Sequence, residues 1–263
     1  MKKLMFVLGI LCCAFPLTAF DLKDISGDIG AGYMNYTMVT TYKSEGIDQA
    51  FIDEAKTLLN AASISITERN DSAKDIYNAF ALGLTVKVSY FYANLGVGFP
   101  LTQVQTGFDP LAALAHSIGK TGVKGSTIVD LQLGGGVTLF KDTPLNIFAG
   151  GGVGVNYIIT KRELGKLTGN TNWTEHRRTL MVGVGADIGV KYFFTEKIGI
   201  GLDIKDTVYF VPVKNSRYYD LTWDNGKSAT LYVTKEKTQD IKKMIKSQWS
   251  NNFTARLGLV WKL

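Results

Sequence analysis

The charged residues of this chain recur with a regularity that limits the chemistry open to them. Asp28, Lys87, Asp130, Asp187, Lys191, Asp203, Lys205, Arg256 and Lys262 share one alternation register with Gly, Thr and Asn. Apolar residues occupy the other register, as in Ile198-Gly-Ile-Gly-Leu-Asp-Ile-Lys205. Alternation sends successive side chains to opposite faces of a strand, so these acids and bases lie behind an apolar surface, facing one another. Counted from the nearest tight turns, Asp187, Asp203, Lys205 and Arg256 stand at similar depth on neighbouring runs, and an ion-pair belt is expected there. Such a belt has two roles open to it: filling an interior and fixing its register, or lining and gating a narrow passage. Asp206 falls on the apolar register, at an interface or at a bulge.

A second cationic group lies near the end of the chain. Ile241, Met244, Ile245 and Trp249 are spaced as a helical stripe beside Lys235, Lys237, Lys242, Lys243 and Lys246. That pattern predicts a basic amphipathic helix suited to anionic headgroups or to a surface ligand, with Lys242, Lys243 and Lys246 as its binding residues. Nucleophilic catalysis lacks its spacing. His176, in Trp173-Thr-Glu-His-Arg-Arg178, has Glu175 nearby but no serine, and His116 has Ser117 and Ser126 without a placed carboxylate. The sequence contains no metal-ligand cluster, phosphate loop or nucleic-acid patch, and no cofactor is expected. The Gly-rich stretch around Val153 lacks the strand–turn–helix setting of a dinucleotide site.

The elements that must position these residues are strands. Phe80, Leu82, Leu84, Val86, Val88 and Tyr90 share one face, and Ala81, Gly83, Thr85, Lys87 and Ser89 the other. Comparable runs open at Ile25, Leu95, Val129, Leu145, Leu180, Ile198 and Phe253, which makes eight strands in all. Links near Tyr92, Asp142 and Glu196 are short, while those over about 43–75, 103–125, 161–178 and 213–249 are long. An even strand count, with short turns at one end and long loops at the other, describes an antiparallel up-and-down transmembrane β-barrel. Closure is required because lipid tolerates no unpaired strand edge. Tyr92, Phe140, Tyr192, Phe194 and Trp261 are expected in a girdle at the short-turn end, and Tyr36, Phe80, Tyr157, Phe210 and Phe253 in one at the loop end.

The loops hold helical patterns of their own: Ile47, Phe51, Ala55, Leu58 and Leu59 in the first, and Asp109-Pro110 through Gly119 in the second. The acidic first-loop helix and the basic fourth-loop helix leave from adjacent strands and are expected to cap the mouth. A hairpin is expected at Asp224-Asn225-Gly226.

Composition agrees with a barrel. The chain has 263 residues, 46% hydrophobic and 20% charged, with 28 Gly, a net charge of +6 and a mean hydropathy of +0.06. A near-zero average excludes a bundle of transmembrane helices but is what an apolar face alternating with a polar one produces. Residues 1–19, with Lys2 and Lys3 before an apolar stretch, read as a secretory signal. Its removal takes both cysteines, leaving residues 20–263 as a cysteine-free barrel.

With those features in view, the chain resembles the small eight-stranded bacterial outer-membrane barrels, the outer membrane protein W, outer membrane protein A barrel and outer membrane protein X families. The most specific likeness is the terminal strand Phe253-Thr-Ala-Arg-Leu-Gly-Leu-Val-Trp-Lys-Leu263, whose counterpart in those families is read by the barrel-assembly machinery. Here Trp261 is present, and Leu263 stands where those families end in Phe, a departure that points to a divergent diderm such as a spirochaete. The resemblance implies a monomer in outer-membrane lipid. Its outer membrane protein W aspect implies a narrow channel or transporter for small solutes, polar or hydrophobic. The alternative is a surface adhesin or ligand-binding barrel that meets a host or extracellular ligand through its long loops.

Overall fold

A computed structural model of the chain describes residues 25–42, 72–107, 125–168, 171–232 and 245–263. The secretory signal, the two loop helices, the mouth cap, His116, Lys242 and Lys243 lie outside the described residues. The strands are β1 (Ile25–Tyr42), β2 (Ser72–Val88), β3 (Phe91–Gly107), β4 (Thr127–Leu139), β5 (Leu145–Thr168), β6 (Thr171–Phe193), β7 (Ile198–Trp223), β8 (Ser228–Tyr232) and β9 (Ile245–Lys262). All pairings are antiparallel. The sheet runs β6-β5-β4-β3-β2-β1-β9-β7, and a further β6–β7 pairing closes it into a ring of eight strands. The short β8 sits outside the ring as a hairpin on β7, turning at Gly226 with φ 79°. That turn is the expected Asp224-Asn225-Gly226 hairpin.

Register fixes the shape of the barrel. Cα partners followed around the ring lead from Ile25 through Val88, Phe91, Gly135, Gly151, Ala186, Asp206 and Phe253 to Asn35, ten residues further along β1. That stagger over eight strands tilts them by about 40° and leaves an interior just wide enough for side chains to fill. Each step to the next strand therefore climbs about 3 Å along the barrel axis, and each residue along a strand about 2.5 Å.

The apolar register faces outward. Ile29, Leu84, Leu131, Ile188, Ile200, Leu257 and Leu259 are all exposed. From Tyr192 to Leu180 on β6 the outward residues climb roughly 25–30 Å, the height of the apolar band of membrane barrels. Phe140, Tyr192 and Phe194 ring the short-turn end on the outside, and Phe80, Phe99, Phe210 and Phe253 the loop end. Two girdle residues are corrected: Tyr36 and Tyr92 point inward and are buried. Tyr36 shares the register of the inward Asp28 on β1 and Tyr92 that of the buried Asn94 on β3, and parity outranks the aromatic preference for interfaces.

Several strands outrun the apolar band. The segment 161–178, expected as a loop, is mostly the paired ends of β5 and β6, and β7 continues to Trp223. The last turn of the expected basic helix is also corrected, the rest of it lying outside the described residues. Ile245 to Trp249 belong to β9 and pair with β1, so Lys246 stands exposed on a strand. A ladder of backbone hydrogen bonds to a partner already in place outweighs a helical stripe of one or two turns.

Candidate functional site: the filled lumen

Inside the ring, Gly and small polar residues make room for a few long side chains. At mid-height Lys205 Nζ of β7 lies 2.7 Å from Asp130 Oδ1 of β4, across the lumen, with side chains only 2% and 0% exposed. The other oxygen of Asp130 accepts from the Tyr209 hydroxyl and from Asn252 Nδ2, the latter at 2.5 Å. A buried carboxylate thus meets one ammonium and two neutral donors, the saturation that a charge in low dielectric requires. Thr207 donates to Gln132 Oε1 at 3.2 Å, and Gln132 Nε2 donates to the Tyr92 hydroxyl at 2.7 Å.

Nearer the short turns, Arg256 of β9 reaches over Gly83, where a Cβ would collide with its guanidinium. Its Nη2 donates to Asn94 Oδ1 at 3.1 Å and to Thr85 Oγ1 at 3.3 Å. Asn94 in turn donates to Asp187 Oδ2 at 3.1 Å, so a neutral amide joins the guanidinium to the carboxylate. Lower still, Lys191 Nζ of β6 pairs with Asp28 Oδ2 of β1 at 2.5 Å. Above the network an apolar cluster stands among buried Ser250, Asn156 and Thr179. Met34, Tyr36, Met38, Tyr77, Ala79, Ala81, Ile128 and Ile158 form one buried cluster. Over that cluster Arg177 Nη1 lies 3.5 Å from Asp75 Oδ2. Ionised groups below, a methionine–tyrosine cluster in the middle and an ion pair above thus put buried side chains in the lumen at successive heights.

Outside the apolar band, the ends of β6 and β7 present a second cluster. The His176 ring stacks on Tyr218, with centroids 4.5 Å apart and planes 4° from parallel. Its Nε2 lies 2.9 Å from Asp220 Oδ2, in ion-pair range but without the alignment of a hydrogen bond. Arg178 donates to the Tyr218 hydroxyl at 3.2 Å. Burial holds the His176 imidazole below its ordinary range, and nearby Lys161 and Arg178 add to that, against the pull of Asp220.

A family model described as Domain of unknown function (DUF2715) matches residues 57–263. The chain belongs to that family. No curated protein matches it. Among solved structures it is similar to a major outer membrane protein of Thermus thermophilus, at 13% identity, covering 89% of this chain and 99% of that one, with a TM-score of 0.44. It is also similar to the outer membrane protein OprG of Pseudomonas aeruginosa, at 10% identity, covering 92% and 97%, with a TM-score of 0.45. A third similarity is to Neisserial surface protein A, at 10% identity, covering 90% and 97%, with a TM-score of 0.33.

In this DUF2715 chain the sequence-derived belt residues Asp187, Asp203, Lys205 and Arg256 are all buried inside the ring. Among the described residues they make no ion pair with one another: Lys205 pairs with Asp130 instead. Asp203 and Arg256 are Cα partners, yet the arginine extends over Gly83 to β2 and β3. Residues missed in the sequence are Asn94, Tyr209, Asn252 and the partners of His176, namely Tyr218 and Asp220. Their inward or outward parity was readable, but their partners stand on strands far apart in the chain. Asp206 faces outward as expected, its carboxylate taking a hydrogen bond from Asn251 Nδ2 at 2.5 Å.

Proposed function

We propose that this protein is a bacterial outer-membrane barrel that works through its loop-end surface, with its lumen closed. The closed sheet, the apolar outer band and the contrast of short turns with long connections support the location. One observation carries the rest of the reading: buried side chains occupy the lumen at successive heights, from Arg256 through Lys205 and Asp130 to Tyr36 and Met34. The sealed interior then serves as a rigid pedestal. What it carries is the strand extension bearing His176, Arg178, Tyr218 and Asp220, with Trp223 and Trp249 partly exposed on neighbouring strand ends. Stacked aromatics beside paired charges, held on strands, form a preorganised surface for a host or extracellular ligand.

A channel for small or hydrophobic solutes is the competing function. It is tested by loading liposomes carrying the refolded protein with a small neutral sugar or an aromatic hydrocarbon and timing its release. Release no faster than from protein-free liposomes is expected. Protein-dependent release of either solute overturns the closed-lumen reading.

A further inference from the structure

The short-turn mouth of the barrel holds a feature that neither the sealed lumen nor the loop-end surface uses. A cavity of about 180 Å³ opens there, and four lysines line it: Lys87, Lys141, Lys191 and Lys262. They come from β2, the β4–β5 turn, β6 and β9, so four separate parts of the ring deliver a cation to one cup. Asp142 lies at its rim, Ser26, Ser89 and Thr138 contribute hydroxyls, and Phe148 and Phe193 contribute aromatic faces.

Three of these amines are already directed. Lys191 pairs with Asp28 at 2.5 Å. Lys262 Nζ donates to the Lys141 carbonyl at 3.1 Å and lies 4.1 Å from the centre of the Phe193 ring. Lys141 Nζ stands 5.8 Å from the centre of the Tyr90 ring. Lys87 is different. It is 4% exposed, and its Nζ lies 3.1 Å over the centre of the Phe148 ring with no oxygen acceptor among the described residues. An amine with three donors, set against a ring face, has its remaining hydrogens open only to the cavity. The cavity in front of it is where an acceptor would sit.

We infer that this cup binds a small soluble oxyanion, with Lys87 as the inner donor and Lys262 as the rim donor. A tetrahedral oxyanion such as phosphate suits the arrangement better than a planar carboxylate does. Its oxygens point in several directions and can meet point-charge donors arriving from different strands, whereas a carboxylate is matched by the planar fork of an arginine. Asp28 and Asp203 lie beyond the cavity lining and hold its charge surplus to a modest value, which favours a compact anion over a polyanion. The cup lies within the ring of strands, so a free anion reaches it more easily than a headgroup anchored in the bilayer.

The test uses the mature chain refolded in neutral detergent micelles and titrated with inorganic phosphate, with lysine side-chain amines labelled for NMR. Saturable shifts at Lys87 and Lys262 are expected. Lys87→Met should weaken binding by about tenfold or more, the size of a lost charge-assisted hydrogen bond. If that variant fails to refold, Lys262→Gln at the rim serves in its place, with a smaller expected loss of several-fold. A loop-end variant, Lys227→Gln, should bind as the parent does. Absence of saturation, or equal affinity in the lysine variants, overturns the inference. A parallel arm replaces phosphate with vesicles containing phosphatidic acid in phosphate-free buffer. Shifts seen only in that arm assign the cup to lipid headgroups and refute a soluble anion.

Discussion

Replacing Lys205 with methionine removes the ammonium that touches Asp130 and keeps most of the volume. Both side chains are buried to within 2% of completely, and their contact is 2.7 Å. After Lys205→Met the carboxylate keeps only the Tyr209 hydroxyl and the Asn252 amide as donors. Removing one partner of a buried pair costs about 3–5 kcal/mol, because the remaining charge stays buried and uncompensated. Adding Asp130→Asn should recover most of that loss. An amide oxygen accepts from the same two neutral donors, and replacing both members of a buried pair is often close to neutral. The double variant is therefore expected within about 1–2 kcal/mol of the parent, about 1–4 kcal/mol more stable than Lys205→Met alone, so the two losses are far from additive in a double-mutant cycle. Equilibrium urea unfolding in neutral lipid vesicles, followed by tryptophan fluorescence and extrapolated linearly, measures each corner. A loss below about 1 kcal/mol for Lys205→Met, the size of an exposed pair, would refute the reasoning. So would a double variant whose loss is the sum of the two singles.

Three other perturbations probe different parts of the account. Asp206 sits on the outward register with Val208 and Phe210 exposed beyond it, so Asp206→Val should stabilise the vesicle-bound barrel by about 1–2 kcal/mol; destabilisation would mean that its pair with Asn251 serves another purpose. Inward Gly152 and outward Gly135 should respond in opposite ways: a Cβ at Gly152 meets the Leu133 carbonyl and Gly134 Cα, whereas at Gly135 its nearest neighbour is the Tyr90 carbonyl at 3.5 Å. Gly152→Val should cost about 1–3 kcal/mol and Gly135→Ala nothing measurable in the same urea assay, and equal effects would contradict the packing described. His176 has a folded-state pKa below its ordinary value of about 6.5, so the folded loop end favours the neutral ring and loses stability as pH falls from there through the depressed value. Amide protection at the ends of β6 and β7, corrected for the intrinsic exchange rate at each pH, should fall over that range in the parent but not in His176→Phe, which keeps the stack on Tyr218.

The barrel itself was legible because lipid enforces alternation. Every crossing strand must show apolar residues at period two, so Phe80 to Tyr90 and Phe253 to Leu263 could be read without a partner. Beyond the apolar band that constraint lapses. Lys161 to Thr168 carry polar residues on both faces, and nothing in their order distinguishes a loop from the strand end they form. The stripe at Ile241, Met244, Ile245 and Trp249 has helical spacing, but Trp249 and Ser247 obey the register of β9. Within the lumen, sequence parity placed Asp187, Asp203, Lys205 and Arg256 inside but could not say whom they meet. Contacts there cross the lumen from β7 to β4 and from β6 to β1. Which residues come level depends on the ten-residue stagger of the closed ring, a property of all eight strands together.

A planar lipid bilayer holding the refolded protein gives the most direct measurement of the closed lumen. The methionine–tyrosine layer around Tyr36 and Met34, with the Lys205–Asp130 pair and Arg256 beneath it, predicts no discrete current steps in molar potassium chloride at applied voltages of either sign. Arg256→Ala should be equally silent, because the apolar layer stays in place. Reproducible single-channel steps from the parent protein would contradict the account.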